Sequence, residues 1–361
     1  MTQSLADHTT PFVRDEWYVA ALSSEIDRRL QDRKILGIGV LLYRCEDGTA
    51  VALHNRCPHR SFPLSSGKLV GDTVTCGYHG LAFGSDGRCI AVPSQSTVPK
   101  GLGTPAYPLV ERALFLWIWM GDPAHADPAT IPDHHWLSDP DHAGFTGYIH
   151  CRSNYIRLHE NVLDLTHFPY LHGDAVGDVT FSQLPFRTER KGHQVVVTRK
   201  DEGRVINGAN ALIIGNEGHR CNRLSESWFT SPAFHIAHTM IEDLDGGVNG
   251  RAEFHNKIIH CFTPETQHSC HYFYAQARDV AIDRPDVTDA IARVAYKAFM
   301  EDEEALELVE RTWTDEDLAD YRELSVRGDL PGLHMRHIIF ERAMIEKAAS
   351  LPSRQAEKQP A

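Results

Sequence analysis

Short apolar runs broken by Gly, Pro and Asp fill the first third of the chain, and longer alternating or helix-period runs fill the rest. GIGVLLYRCEDGTAVAL predicts a hairpin turning at Asp47-Gly48, and FGSDGRCIAV predicts another turning at Asp86-Gly87. Asp-Gly supplies the backbone geometry that such tight turns need. The run ALFLWIWM, from Ala113 to Met120, is far too short to span a bilayer and reads as a buried strand. A small all-β domain therefore covers the segment from Trp17 to Gly121. A Pro- and Asp-rich stretch from Gly121 to Asp141 marks a boundary. Beyond it, Asn154 to Leu165 predicts a helix, and HQVVVTRK, AEFHNKIIHCF and CHYFYAQAR predict strands of an antiparallel sheet. Val287 to Arg311 holds a long helix period without Gly or Pro, and Met335 to Ala349 predicts another helix. The fold class is α+β, with domains at 1–125 and 140–350 and a disordered tail at 351–361.

With 361 residues, 42% of them hydrophobic, the chain can bury two sizeable cores. A net charge of −13 makes nucleic acid and anionic membrane poor partners. The eight cysteines lack the spacing of a disulfide scaffold, which favours a reducing, cytoplasmic setting. The opening MTQSLADHTTPFVRDEW has no basic-then-apolar signal pattern, in keeping with that expectation.

Two constellations carry chemistry. The first is Cys57-Pro58-His59 with Cys76-Gly77-Tyr78-His79, sixteen residues apart. Two thiolates and two imidazoles can hold a [2Fe-2S] cluster, both Cys on one iron and both His on the other, and the neutral imidazoles raise its reduction potential. A Cys2His2 zinc site uses the same donors. Zinc ligands usually come as a Cys pair and then a His pair, whereas each half here gives one of each, which suits one loop serving both irons. Pro58, Gly77 and Gly80 favour tight turns in which backbone N–H groups approach sulfur.

The second constellation is Asn161, Asp164, His167 and His172 within NVLDLTHFPYLH. Oxygen-activating iron wants two His and one carboxylate on one face. Residues five apart do not share a helix face, so the two His converge only if the helix breaks, and Pro169 predicts a break between them. Asp164, one turn before His167, is placed to orient that imidazole. For the carboxylate, FMEDEEALELVER offers Glu301, Asp302, Glu303 and Glu304, and charge alone reads these as a solvated helix face.

From Phe12 to Ala349 the chain resembles the oxygenase components of Rieske non-haem iron monooxygenases, and most closely the vanillate and dicamba O-demethylase group. The likeness runs through FVRDEWYVAAL, the cluster block CPHRSFPLSSGKLVGDTVTCGYHGLAFGSDGRCI, LVERALFLWIWMGDPAHADPATIPD, NVLDLTHFPYLH and HCFTPETQHSCHYFYAQARD. It implies an N-terminal Rieske [2Fe-2S] domain and a catalytic domain of helix-grip type. It also implies His167 and His172 as ligands of a mononuclear Fe(II), with Asn161 close to the iron. The group's F-x-x-D pattern falls on Phe299 and Asp302, which makes Asp302 the third ligand. Asp164 matches the acid that bridges the iron site to His79 of the partner subunit in a head-to-tail homotrimer.

The implied activity is O2-dependent O-demethylation or hydroxylation of a small aromatic acid by a two- or three-component system. No nucleotide-binding or flavin fingerprint is present, so electrons must come from a separate reductase or ferredoxin. His260 matches the group's substrate-binding histidine, His235 stands where a relative has asparagine, and Arg293 stands where an aromatic residue lines the pocket. Arg293 in a pocket would favour a carboxylate or sulfonate. Ordinary sheet histidines and an exposed helix arginine are the competing readings. A ring cis-dihydroxylating dioxygenase shares both iron motifs but tends to have a longer large subunit. A Rieske electron carrier without its own catalysis would need only roughly the first 120 residues.

Overall fold

The structure, a computed structural model, describes residues 4–173, 182–206, 209–315 and 323–349, and the tail expected at 351–361 lies outside them. The first unit contains β1 (Trp17–Leu22), β2 (Gln31–Ile35), β3 (Ile38–Arg44), β4 (Ala50–His54) and β5 (Lys68–Val70). It continues with β6 (Thr73–Thr75), β7 (Ala82–Phe83), β8 (Cys89–Ala91), β9 (Leu109–Arg112) and β10 (Phe115–Trp119). These strands form sheets of order β1-β10-β9, β2-β3-β4 and β5-β6-β7-β8. Both expected hairpins form. Gly48 and Gly87 take φ of +87° and +78° at the turns. A Cβ on Gly87 would also lie 2.1 Å from the Thr104 carbonyl oxygen, so only glycine fits there. β10, from the apolar run, is buried along its whole length.

The Pro- and Asp-rich stretch folds into three single turns of 3₁₀ helix at Pro123–His125, Pro128–Thr130 and His135–Leu137. Asp122 and Asp127 cap the first two, accepting from the backbone N–H groups of Ala124 and Ala129.

The second unit runs β11 (Ala143–Cys151), α1 (Tyr155–Leu163), α2 (Phe168–Leu171), β12 (Phe186–Lys191) and β13 (Gln194–Val205). Then follow α3 (Ala209–Ile214), β14 (Arg220–Ser231), β15 (Phe234–Asp243), β16 (Glu253–Thr266), β17 (Ser269–Arg278), α4 (Pro285–Asp315) and α5 (Leu330–Ala349). The strands make one seven-stranded antiparallel sheet, β11-β17-β16-β15-β14-β13-β12. Its two faces are covered by different partners, and β17 shows why the sequence there is a near-continuous apolar run. Tyr272 and Tyr274 join the helical core with Phe299 and Ile338. Phe273, Ala275 and Ala277, on the other face, join a core with Trp17 and Trp117 of the first unit. A strand buried on both faces loses the polar half of its alternation.

The N-terminal arm departs from the expected boundary at residue 125. Ala6 and Val13 lie in the core of the second unit with α1 and α5, and the Ala6 N–H donates to the Arg336 carbonyl at 3.1 Å. The arm is a strap that crosses to the far domain before the first strand begins. All eight cysteines are buried and unpaired. No described helix is long and apolar enough to cross a membrane.

Candidate cluster and iron sites

The two cluster loops share one backbone design. Cys57 N–H donates to Phe62 O at 2.8 Å and Ser61 N–H to Cys57 O at 2.9 Å; Cys76 N–H donates to Leu81 O at 2.8 Å and Gly80 N–H to Cys76 O at 3.0 Å. Ser61 and Gly80, each four residues after its Cys, both take positive φ, +60° and +73°. Gly77 is required by space, since a Cβ would sit 2.8 Å from Ser66 O and 3.1 Å from the Phe62 ring. The outcome is a polarised site. Cys57 and Cys76 are buried, while His59 and His79 are exposed with ring centroids 4.6 Å apart. Burial pushes the Cys57 thiol up, the backbone N–H groups of His59 and Arg60 oppose this, and the adjoining Cys76 raises it again. Amide donors aimed at sulfur are what a thiolate-held cluster uses. Two paired sulfurs inside and two imidazoles at the surface fit a Rieske [2Fe-2S] cluster.

The iron-site candidates are brought together by breaks in the helical path. Asn154 caps α1, its side chain accepting from Ile156 N–H at 2.9 Å. α1 stops at Asp164, whose backbone is extended and whose carboxylate caps the next turn, accepting from Thr166 N–H at 3.0 Å. A 3₁₀ turn, Leu165–His167, leads directly into α2. Pro169 sits in the first turn of α2, where its missing N–H costs nothing. The expected break at Pro169 is therefore corrected: the chain turns at Asp164 and changes helix type after His167, and the proline starts the short helix.

His167, His172 and Asp302 converge, with their ligand atoms all within 4.8 Å of one another. His167 Nε2 and His172 Nε2 each lie 3.3 Å from Asp302 Oδ1. The other nitrogens are taken. His167 Nδ1 donates to the Asp164 backbone carbonyl at 2.6 Å, and His172 Nδ1 donates to Glu301 Oε2 at 2.9 Å. Those partners fix the tautomers and leave both Nε2 lone pairs facing the carboxylate. His167 Nε2 is buried without a hydrogen-bond partner. Burial alone would raise the Asp302 pKa, but in the metal-free protein hydrogen bonds and charge from His167 and His172, which the rings supply when Nε2 carries a proton, outweigh it and hold it at about 2. Two lone pairs and a carboxylate aimed at one point repel unless a cation sits among them, so this donor set fits a divalent iron.

The supporting residues differ in part from expectation. Asn161 Nδ2 donates to Asp302 Oδ1 at 2.9 Å, so the asparagine steadies the carboxylate. It is the backbone of Asp164, and not its carboxylate, that orients His167. The Asp164 carboxylate instead accepts from Thr166 N–H and Oγ1, lies 3.7 Å from the buried Arg199 guanidinium, and stays a quarter exposed. Glu301 entered the sequence reading only as one of four acids; its hydrogen bond to His172 had no sequence signal. Arg199 had none either.

Next to Asp302 lies a cavity walled by Phe262, Tyr272, Phe299, Asn161, Val162 and His260. His260 Nδ1 and the Tyr272 hydroxyl share a hydrogen bond of 2.6 Å. His235 is fully buried behind this wall. Ser227 Oγ donates to Val162 O at 2.6 Å, so His235 Nε2 must donate to Ser227 Oγ. That leaves His235 Nδ1 buried and unpartnered, as is Nδ1 of the neighbouring His159. Burial lowers the His159 and His260 pKa values to about 4 and about 3, so both rings are neutral at neutral pH. Arg293 lies exposed on α4 and does not line the cavity.

Comparison with known proteins adds independent findings. The family model for the Rieske [2Fe-2S] domain matches residues 16–107, and that for the vanillate O-demethylase oxygenase C-terminal domain matches residues 151–345. The iron-sulfur subunit of the toluene-4-sulfonate monooxygenase system of Comamonas testosteroni is 35% identical over 83% of this chain and 88% of its own. The dicamba O-demethylase oxygenase component of Stenotrophomonas maltophilia is 34% identical, again over 83% and 88%. A crystal structure of dicamba monooxygenase bound to 3,6-dichlorosalicylic acid superposes with a TM-score of 0.86, at 30% identity, covering 94% of this chain and 99% of that one.

Proposed function

We propose, for a chain that belongs to the Rieske non-haem iron oxygenases and within them to the vanillate O-demethylase group, monooxygenation of a methyl or methoxy carbon on a single-ring aromatic acid. Membership makes the chain an O2-dependent oxygenase component with a Rieske [2Fe-2S] cluster and a mononuclear iron, supplied with electrons by other proteins of its system. The overall balance takes one O2, two electrons and two protons; one oxygen atom enters the C–H bond and the other leaves as water. A methoxy substrate would give a hemiacetal that collapses to a phenol and formaldehyde.

The observation that carries the site assignment is the convergence of His167, His172 and Asp302 beside an aromatic-walled cavity. In this reading those three residues hold the iron, and Cys57, His59, Cys76 and His79 hold the cluster. When bound, the iron supplies O2 activation and the cluster supplies the electrons. The chain's own residues do the rest. Glu301 and the Asp164 carbonyl hold the imidazole protons away from the iron side, and Asn161 steadies Asp302. Phe262, Tyr272 and Phe299 exclude water and stack the ring. With the Tyr272 hydroxyl donating to Nδ1, the neutral His260 carries its proton on Nε2 and can donate it to a carboxylate or sulfonate. Among the relatives, one is named for toluene-4-sulfonate, and the solved structure holds 3,6-dichlorosalicylic acid. Exposed His79 and partly exposed Asp164 support a homotrimer in which these two meet across subunits. Eight unpaired cysteines support a cytoplasmic setting.

Purified, iron-replete protein with a surrogate electron donor tests the proposal. Methoxybenzoates, methylbenzoates and arylsulfonates would be offered, with formaldehyde and product mass followed. Formaldehyde with a phenol, or a gain of one oxygen on a methyl group, is expected. A two-oxygen diol, or no product from any of the three classes, would overturn it.

A further inference from the structure

A second cluster of metal-type donors lies away from both sites. His8 from the N-terminal arm, His268 from the β16–β17 turn and Glu310 from α4 offer ligand atoms all within 4.8 Å of one another. Glu310 is buried, with 4% exposure, in spite of its charge. His8 Nε2 lies 2.9 Å from Glu310 Oε1, and His268 Nδ1 lies 2.7 Å from the same oxygen. The donor set, two imidazoles and one carboxylate, is that of the iron site.

From this geometry we infer a structural site for a zinc-class divalent cation at His8, His268 and Glu310. Three features preorganise it. The His8 ring is stacked on Trp313, with centroids 3.8 Å apart and planes 11° apart. Glu310 Oε2 accepts from Asn154 N–H at 3.1 Å and Ser153 Oγ at 3.5 Å and also lies 3.0 Å from His8 Nε2, so the carboxylate is anchored with His8 facing both its oxygens and His268 facing Oε1. His268, whose side chain is 52% exposed, gives the ion a path in and a water a place as fourth ligand. Each imidazole presents its lone pair once its proton sits on the opposite ring nitrogen, and imidazole with carboxylate suits zinc better than magnesium or calcium. Among the described residues Arg157 Nε, 3.8 Å from Glu310 Oε2, is an opposing charge, and its guanidinium is also paired with Glu323 at 3.2 Å. In the metal-free protein the same atoms hold one another through hydrogen bonds, and burial of Glu310 is outweighed by those from His8 and His268, which keep its pKa at about 2.

The site would clamp three separate pieces of chain. The arm and the turn already meet through Gln267 Nε2, which donates to Thr10 O at 2.9 Å. α4 is the helix that also carries Asp302, eight residues or just over two turns earlier and about 80° away around the axis. An ion at Glu310 would fix the far end of the helix that presents the iron carboxylate.

The test uses holoenzyme with its iron sites filled, dialysed against zinc chloride and then against metal-free buffer. Zinc per chain, the zinc-dependent rise in Tm, and anomalous difference maps recorded on both sides of the zinc edge are the readouts. One zinc at Glu310 is expected, with binding weakened more than about tenfold in both His268→Ala and Glu310→Gln, because loss of a ligand exceeds the effect of losing an outer partner. His268 sits half-exposed at a turn, so its variant keeps the test valid should Glu310→Gln fold poorly. Zinc found only at the iron or cluster ligands, or bound as tightly by His268→Ala, would overturn the inference. None of these readouts depends on substrate turnover, so the result stands apart from the product assay.

Discussion

Glu301 is the residue whose role is easiest to isolate. Its Oε2 accepts from His172 Nδ1 at 2.9 Å, and its side chain is 28% exposed. A hydrogen bond to a charged group contributes about 1.5–3 kcal/mol, and partial exposure reduces this to about 1–2 kcal/mol. Removing the carboxylate frees the ring to rotate and to exchange tautomers, so Glu301→Ala should weaken iron retention by about 5- to 30-fold. The Lys297 ammonium, 3.7 Å from Oε1 and largely exposed, adds little. Alanine is at least as good a helix former, so the change should not unfold α4. The assay is iron per chain across a chelator series, with the visible spectrum of the cluster as an internal control. Glu301→Gln keeps an acceptor oxygen without the charge and should recover part of the loss. If Glu301→Ala held iron as the wild type does at every chelator concentration, the orienting role of Glu301 would be refuted.

Asp164→Asn should leave iron and cluster content unchanged while turnover nearly stops; wild-type turnover at matched iron content would dispose of the proposed bridge between subunits. Tyr272→Phe removes the partner of a buried imidazole nitrogen, a cost of about 1 kcal/mol in stability. It should raise KM for aromatic acids more than it lowers kcat, and steady-state kinetics would read the difference. A pH prediction falls on Asp243, remote from both sites. Burial pushes its pKa up, but hydrogen bonds from Asn216, His219 and the backbone N–H groups of Gly247 and Asp245 outweigh that and hold it at about 2, against 3.8 normally. The gap corresponds to about 2 kcal/mol of stability. A depressed carboxylate gives this above pH 3.8 and loses it as pH falls toward 2. Urea unfolding should therefore show Asp243→Asn weaker by about that amount at pH 7, with the difference shrinking below pH 3.8; a pH-independent difference would contradict the assignment.

The cluster loops were legible because their chemistry is local: two short motifs, each folding on its own backbone. The strands were legible wherever burial was one-sided or complete, as in β10 and β17. The path between His167 and His172 was harder to read. Pro169 announces a break, yet proline is tolerated in the first turn of a helix, and the real turning point is Asp164, whose carboxylate caps the following turn. Capping by Asp and helix ending by Pro give overlapping signals three to five residues apart, and only the backbone decides between them. Arg199 and Ser227 reach their partners across strands far away in sequence, and no local pattern marks such contacts. The arm carrying His8 crosses to the second unit for the same reason: chain order does not say which domain a strap will cover.

α4 shows what charge alone conceals. Read by composition, EDEE followed by ALELVE is a solvated helix surface. Read by helical register, Phe299, Asp302, Leu306 and Glu310 fall at spacings of three, four and four, a single stripe that also holds Glu303. Phe299 on that stripe packs against Tyr272 and Tyr274 in the sheet, so its neighbours on the stripe face inward too. An acid on the apolar stripe of an amphipathic helix is costly to bury unless something cationic meets it. Asp302 meets two imidazoles, and Glu310 meets two others, whereas Glu304, off the stripe, is exposed. The register thus narrows the acids of this helix to Asp302, Glu303 and Glu310 without reference to any relative, and the paired imidazoles that meet Asp302 and Glu310 set those two apart, which makes Glu310 the residue to examine for a second cation.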